Sequence, residues 1–185
     1  MSTDHAGHVD PANKKVALFI AVLALVLAFA ETLGKAAQTS ALAYHIESSN
    51  LWAFFQAKTI RQTTIRTAAQ EMEAQFGNRA PEALTKQVEA WKKTVERYES
   101  EPETNEGRKE LMARAKEKEV KRDRAMAAYH NYEVASAAVQ IAIVLASAQI
   151  ITGVAALLWI AYALGGVGVA FSLIGFFWPT AVHLF

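Results

Sequence analysis

Cysteine is absent from this 185-residue chain, which excludes disulfides, thiolate catalysis and cysteine-ligated metal centres. Proline occurs only four times and glycine nine, too rarely to punctuate many short elements, and neither occurs from position 35 to position 76. Ala, Gln, Glu, Arg and Lys abound in that stretch, so a long uninterrupted helix is expected. Runs that alternate apolar and polar residues are scarce as well, which argues against strands. The most consequential shortage is of charge. The last 52 residues, 134–185, contain no Asp, Glu, Lys or Arg, and all 19 Lys and Arg and all 18 Asp and Glu lie between Asp4 and Glu133.

A charge-free run of that length is too long for one membrane crossing, which needs only ~20 helical residues. It must fold back on itself. The polar cluster Ser147, Gln149, Thr152 and Gly153 divides it into two stretches, each about long enough to span as a helix whose backbone is satisfied internally. A helical hairpin is expected. Trp159 and Tyr162 near one end of the last span, and Phe176, Phe177 and Trp178 at the other, read as interfacial aromatic belts, with Pro179 ending the helix. The average composition, 52% hydrophobic with a net charge of +1, conceals a highly charged helical body joined to uncharged spans.

At the other end, Lys14 and Lys15 precede an apolar run from position 16 to position 30. Ala28-Phe29-Ala30 also fits the cleavage site of a signal peptide, but the helical pattern continues through Glu31, Leu33 and Lys35, which favours an uncleaved anchor. Ala17, Ala21, Ala24 and Ala28 recur there at steps of four, three and four, a small-residue seam along which helix backbones approach closely. Similar seams lie on the later spans: Ala138, Ala142 and Ala146 on the second, then Ala161, Gly165, Gly168, Ser172 and Gly175 on the third. Three seams can satisfy one another within a subunit or leave one over for another subunit. Glu31 is expected at the membrane interface, and Gln140 and Gln149 as interhelical hydrogen-bonding amides rather than an ion path.

Between the spans, Leu51, Trp52, Phe54 and Phe55 wrap too much of a helix to remain uncovered; the domain's own helices or a partner must cover them. Positions 77–81 break the helix. Leu84, Val88, Trp91, Val95 and Tyr98 then recur at steps of four and three, a coiled-coil seam. Residues 102–107 turn the chain into a return helix, 108–133, on which Leu111 and Ala115 continue a seam before Lys118 and Arg122 take its next positions.

The blocks NKKVALFIAVLALVLAFAETLGK, SSNLWAFFQAKTIRQ and AVQIAIVLASA, in that order and separated by a charged helical pair, resemble the bacterial membrane-protein family catalogued as domain of unknown function 4337. The resemblance covers positions 13–177 and implies no activity. Relatives often carry basic residues in the turn between the last two spans, whereas this chain has Thr152-Gly153 there.

The expected architecture is all-α with three transmembrane helices. A disordered tail occupies 1–13, spans occupy 14–34, 134–152 and 154–178, a helical extramembrane domain occupies 35–133, and a C-terminal tail occupies 179–185. No nucleophile motif, metal-binding helix or phosphate loop is present, and Gly166-Val167-Gly168 lacks the third glycine and preceding strand of a dinucleotide fingerprint. His5 and His8 lie in the tail, and His45 and His130 have no carboxylate at a ligand spacing, so no catalytic, cofactor or metal site is expected. Balanced charge gives no footprint for nucleic acid. The partners expected are membrane lipid and either further copies of the chain or a larger membrane complex. The function expected is non-catalytic, an assembly or accessory role in the bacterial inner membrane; the alternative is a small channel or transport component lined by the spans. Lys14 and Lys15 argue for a cytoplasmic N-terminus and Lys118, Lys121, Arg122 and Arg124 for a cytoplasmic centre; the first pair weighs more, because charges in segments longer than about 60 residues count for little. The N-terminus is therefore expected in the cytoplasm and the central domain on the periplasmic side.

Overall fold

The computed structural model describes residues 11–182. His5, His8 and most of the expected N-terminal tail lie outside them. Among the described residues the chain is helical without strands: α1 (Pro11–Phe76), a 3-10 turn (Gly77–Arg79), α2 (Glu82–Glu99), α3 (Arg108–Thr152) and α4 (Ala155–Phe177). Helix α1 (Pro11–Phe76) includes the last residues of the stretch expected as a tail, and it passes the expected boundary at 34/35 without a break.

Two of the breaks fall where glycine releases the backbone. Gly77 (φ 49) ends α1, and Gly153 (φ 70) ends α3. Both occupy the left-handed region, where an L side chain is strained; the Gly153 N–H returns to the Gln149 carbonyl at 2.8 Å, the bond pattern of a helix C-terminus. The two-residue link 153–154 makes α3 and α4 the expected hairpin. Helices α1, α3 and α4 are each long and apolar enough to cross a membrane.

The chain divides into two compact units. One comprises the residues up to Ala41 with those from Asp123 onward; the other is Leu42–Arg122. The first, the span unit, packs Val16 and Leu23 of α1 with Val139, Ala142 and Ala146 of α3 and Ala161 of α4. The second, the charged unit, packs the later part of α1 against α2 and the start of α3. Val88 of α2 is buried, and Leu84, Trp91, Val95 and Tyr98 are half-buried. On α3, Leu111 and Ala115 are fully buried.

Candidate functional site, the helix-packing surfaces

In the span unit the small residues of α4 admit their neighbours closely. Ala161, Gly165, Gly168 and Gly175 are buried, and the Ser172 hydroxyl donates to the Gly168 carbonyl at 2.9 Å. A Cβ on Gly168 would lie 2.3 Å from Val139 Cγ2, and one on Gly165 would lie 3.0 Å from Leu23 Cδ2. Ala138, Ala142 and Ala146 of α3 are buried too. The first-span seam is placed otherwise. Ala17, Ala21, Ala24 and Ala28 are all exposed, and the covered face of α1 carries Val16, Leu23 and Ala30, seven residues apart, with Ile20 and Leu27 between them. At ~100° per residue the alanine seam lies about a quarter-turn from that face. The reason is complementarity of size. Phe19 and Leu23 fill the space that Gly165 leaves open, so large meets small instead of small meeting small. The aromatic belts point outward, with Trp159, Phe176 and Trp178 well exposed.

Where α1 and α3 leave the apolar stretches, Glu31 accepts a hydrogen bond from Gln140 at 3.2 Å, the interhelical amide contact expected of Gln140. Gln149 does not follow that expectation: its Oε1 is buried without a partner among the described residues. Tyr129 donates to Glu133 at 2.5 Å, and the hydrogen bond to that carboxylate pushes the phenol above its ordinary range. His130 Nδ1 lies 3.2 Å from Glu133 Oε2. The sequence reading missed this carboxylate, although a spacing of three puts both residues on one helix face. A groove of about 330 Å³ opens there, bordered by Glu31, Lys35, Tyr132 and Glu133.

The charged unit holds the residues that sequence reasoning overlooked. Lys58 is 6% exposed; its Nζ lies 3.3 Å from Glu101 and 5.5 Å from the ring centres of Phe54 and Tyr98. One carboxylate and two aromatic faces therefore compensate the desolvated ammonium. Gln62, 2% exposed, donates to the Val95 carbonyl and to Glu99 and accepts from Arg108 at 2.7 Å. Arg108 also donates to Glu99 at 2.6 Å and to the Thr59 hydroxyl. The Gln62 amide and then the Arg108 charge hold Glu99 below its ordinary pKa. At the turn between α2 and α3, Glu110 accepts from the Ser100 hydroxyl at 2.6 Å and the Glu101 amide at 3.2 Å, and it too is held low, first by the Ser100 bond. A signal for these residues was present in the spacing: Lys58 is six heptads past Val16, and Gln62 is six heptads past Ile20. The covered face of α1 keeps one period along its length while its chemistry changes from apolar to polar.

The aromatic cluster is covered unevenly. The Trp52 indole donates to Glu119 at 2.9 Å, and Phe55 lies edge-on to Trp52 with the Arg108 guanidinium 5.0 Å from its centre. Phe54 remains 38% exposed. The unit's own helices thus supply most of the cover that the sequence demanded. Lys118, one of the two cations interrupting the α3 seam, pairs with Glu47 and lies over the Tyr44 ring. A pocket of about 190 Å³ where α1 meets α2, bordered by Phe76, Leu84 and Val88, is small for an organic ligand. Among the described residues no three His, Asp or Glu side chains converge as a metal site.

No curated protein and no solved structure matches the chain. Over residues 12–178 it matches the family described as domain of unknown function, DUF4337. With nearly the whole chain covered, from the start of α1 to the aromatic end of α4, the protein belongs to the DUF4337 family.

Proposed function

We propose that this is a non-catalytic, multi-pass protein of the bacterial inner membrane that acts through helix–helix contacts, as an assembly or accessory subunit. One observation carries the reading: Ala138, Ala142 and Ala146 of the α3 seam and Ala161, Gly165, Gly168 and Gly175 of the α4 seam are buried, while Ala17, Ala21, Ala24 and Ala28 of α1 are all exposed. In lipid, apolar burial drives no association, so a face of small residues gains chiefly by close packing against another helix. In the charged unit, Lys58, Gln62, Glu99 and Arg108 are occupied in holding three helices together, which supports a structural use of its polar groups. The N-terminus is cytoplasmic and the charged unit periplasmic, following Lys14 and Lys15.

Native mass spectrometry of protein extracted in mild detergent tests the reading. A species heavier than the 20.2 kDa chain, alone or with co-purifying proteins, is the expected result, and a monomer at every detergent concentration overturns it. Orientation has its own test, since the chain lacks cysteine. Ser2→Cys and Thr104→Cys variants are exposed in intact cells to a membrane-impermeant thiol reagent. Labelling at 104 alone agrees with the orientation; labelling at 2 alone reverses it.

A further inference from the structure

The groove of about 330 Å³ in the span unit is bordered by charges of both signs, Glu31 and Lys35 of α1 and Glu133 of α3. Among the described residues Lys35 forms no ion pair with either carboxylate. Glu31 is engaged by the Gln140 amide, and Glu133 by the Tyr129 hydroxyl and the His130 ring. A carboxylate has about four acceptor sites, and the Glu133 side chain is still 51% exposed. Packing fixes the depth of the groove. A Cβ on Gly34 would lie 3.3 Å from Tyr132 Cβ, and one on Gly175 would lie 3.2 Å from the Tyr132 ring. Gly34, Tyr132 and Gly175 therefore share one level, immediately before the exposed aromatic end of α4, Phe176, Phe177 and Trp178, which reads as a membrane interface.

We propose, resting on the multi-pass reading above, that this groove holds the head group of an aminophospholipid, with the phosphate on Lys35 and the primary ammonium on Glu133. Side chains lean toward the N-terminus of their helix. Helix α1 runs out of its apolar stretch and α3 runs into its own, so the two lean their side chains in opposite directions. The contacts follow that rule: Glu31 meets Gln140, on the membrane side of the shared level, whereas Glu133 meets Tyr129 and His130, on the other side. Lys35 leans as Glu31 does, which puts the cation deeper than the Glu133 carboxylate. A phospholipid presents its charges in that order, phosphate next to the glycerol and ammonium beyond it. Toward the membrane the same faces continue with Ala24 and Leu27, seven residues before Glu31 and Gly34, and with Ile143, seven after Ser136, apolar surface for an acyl chain. The volume of about 330 Å³ is at the small end of ligand sites, enough for a head group whose chains stay in the bilayer. A primary ammonium gives Glu133 a charge-assisted hydrogen bond. The trimethylammonium of a choline lipid has no N–H to donate, and a glycerol head group brings no cation.

Native mass spectrometry tests this on the whole protein in mild detergent, offered an equimolar mixture of phosphatidylethanolamine, phosphatidylcholine and phosphatidylglycerol with identical acyl chains. The ethanolamine lipid is expected to be retained roughly tenfold over the choline lipid, the order of one charge-assisted hydrogen bond. Glu133→Gln is expected to bring that preference to parity, and Lys35→Gln to weaken retention of all three lipids, while Lys86→Gln, exposed on α2, changes neither. Equal retention by the wild type, a preference for the glycerol lipid, or a preference that survives Glu133→Gln overturns the proposal. So does displacement of the bound lipid by millimolar glycerophosphoethanolamine, which would make the ligand a soluble one. Circular dichroism checks that the glutamine variants stay helical; where one does not, the wild-type preference decides alone. Carbonate washing of the membranes separates this proposal from the reading beneath it. Protein that washes off removes both, whereas protein that stays in the membrane without a lipid preference removes only this one.

Discussion

Two glycines of α4, two residues apart, should respond oppositely to the same added methyl group. A Cβ at position 168 would lie 2.3 Å from Val139 Cγ2 and 3.1 Å from the Ala135 carbonyl oxygen, whereas at position 166 nothing lies within 4 Å. Carbon atoms rest at ~3.5–4.0 Å from each other, so Val139 would have to retreat by more than an ångström. It is fully buried, and the carbonyl belongs to backbone inside α3. Overpacking of this kind costs about 1–3 kcal/mol, while alanine recovers up to about 1 kcal/mol over glycine inside a helix. Gly168→Ala is therefore expected to destabilise the protein by about 1–2 kcal/mol, and Gly166→Ala to be neutral or slightly stabilising. Unfolding of purified protein in mixed micelles with increasing dodecyl sulfate, followed by circular dichroism, measures both. Val139→Ala removes the nearer obstacle, so combining it with Gly168→Ala should show a favourable coupling of about 1 kcal/mol. If the two glycine variants were equally stable, or Val139→Ala gave no relief, the described packing of α4 on α3 would be wrong.

Two further outcomes concern the charged unit. Gln62→Leu keeps the volume but leaves the Val95 carbonyl and one Arg108 donor without their partner; a loss of about 2 kcal/mol is expected by urea titration, and an unchanged midpoint would mean that solvent reaches this network. Glu99 and Glu110 have folded pKa values below the ordinary carboxylate value, so their stabilising contribution is complete above that value and is lost as pH falls through the folded ones. The thermal midpoint should accordingly be flat near neutrality and decline in acid below about pH 4.5, with a shallower decline in Glu99→Gln; a midpoint that rises on acidification would contradict the network.

The sequence by itself determined the helices and their number. Unbroken helix-forming composition from 35 to 76 specified one long α1, glycines at 77 and 153 specified the breaks, and the absence of charge after Glu133 specified a hairpin apolar enough for a membrane. These are local properties, set by backbone sterics and by the cost of burying charge, so they can be read along one dimension. Which face of each helix is covered was decided only by the tertiary structure. Ala17, Ala21, Ala24 and Ala28 of α1 and Gly165, Gly168 and Gly175 of α4 have similar spacing, yet only the glycines are buried, because a seam is filled by whatever side chain the neighbouring helix presents. Phe19 and Leu23 lie over Gly165, and that pairing joins positions more than 140 residues apart. Lys58 and Gln62 repeat the point. Both keep the heptad register of the apolar face, but their burial depends on Glu101, Glu99 and Arg108 arriving from the α2–α3 turn. The cost of an unpaired buried charge required partners that only the folded chain could bring.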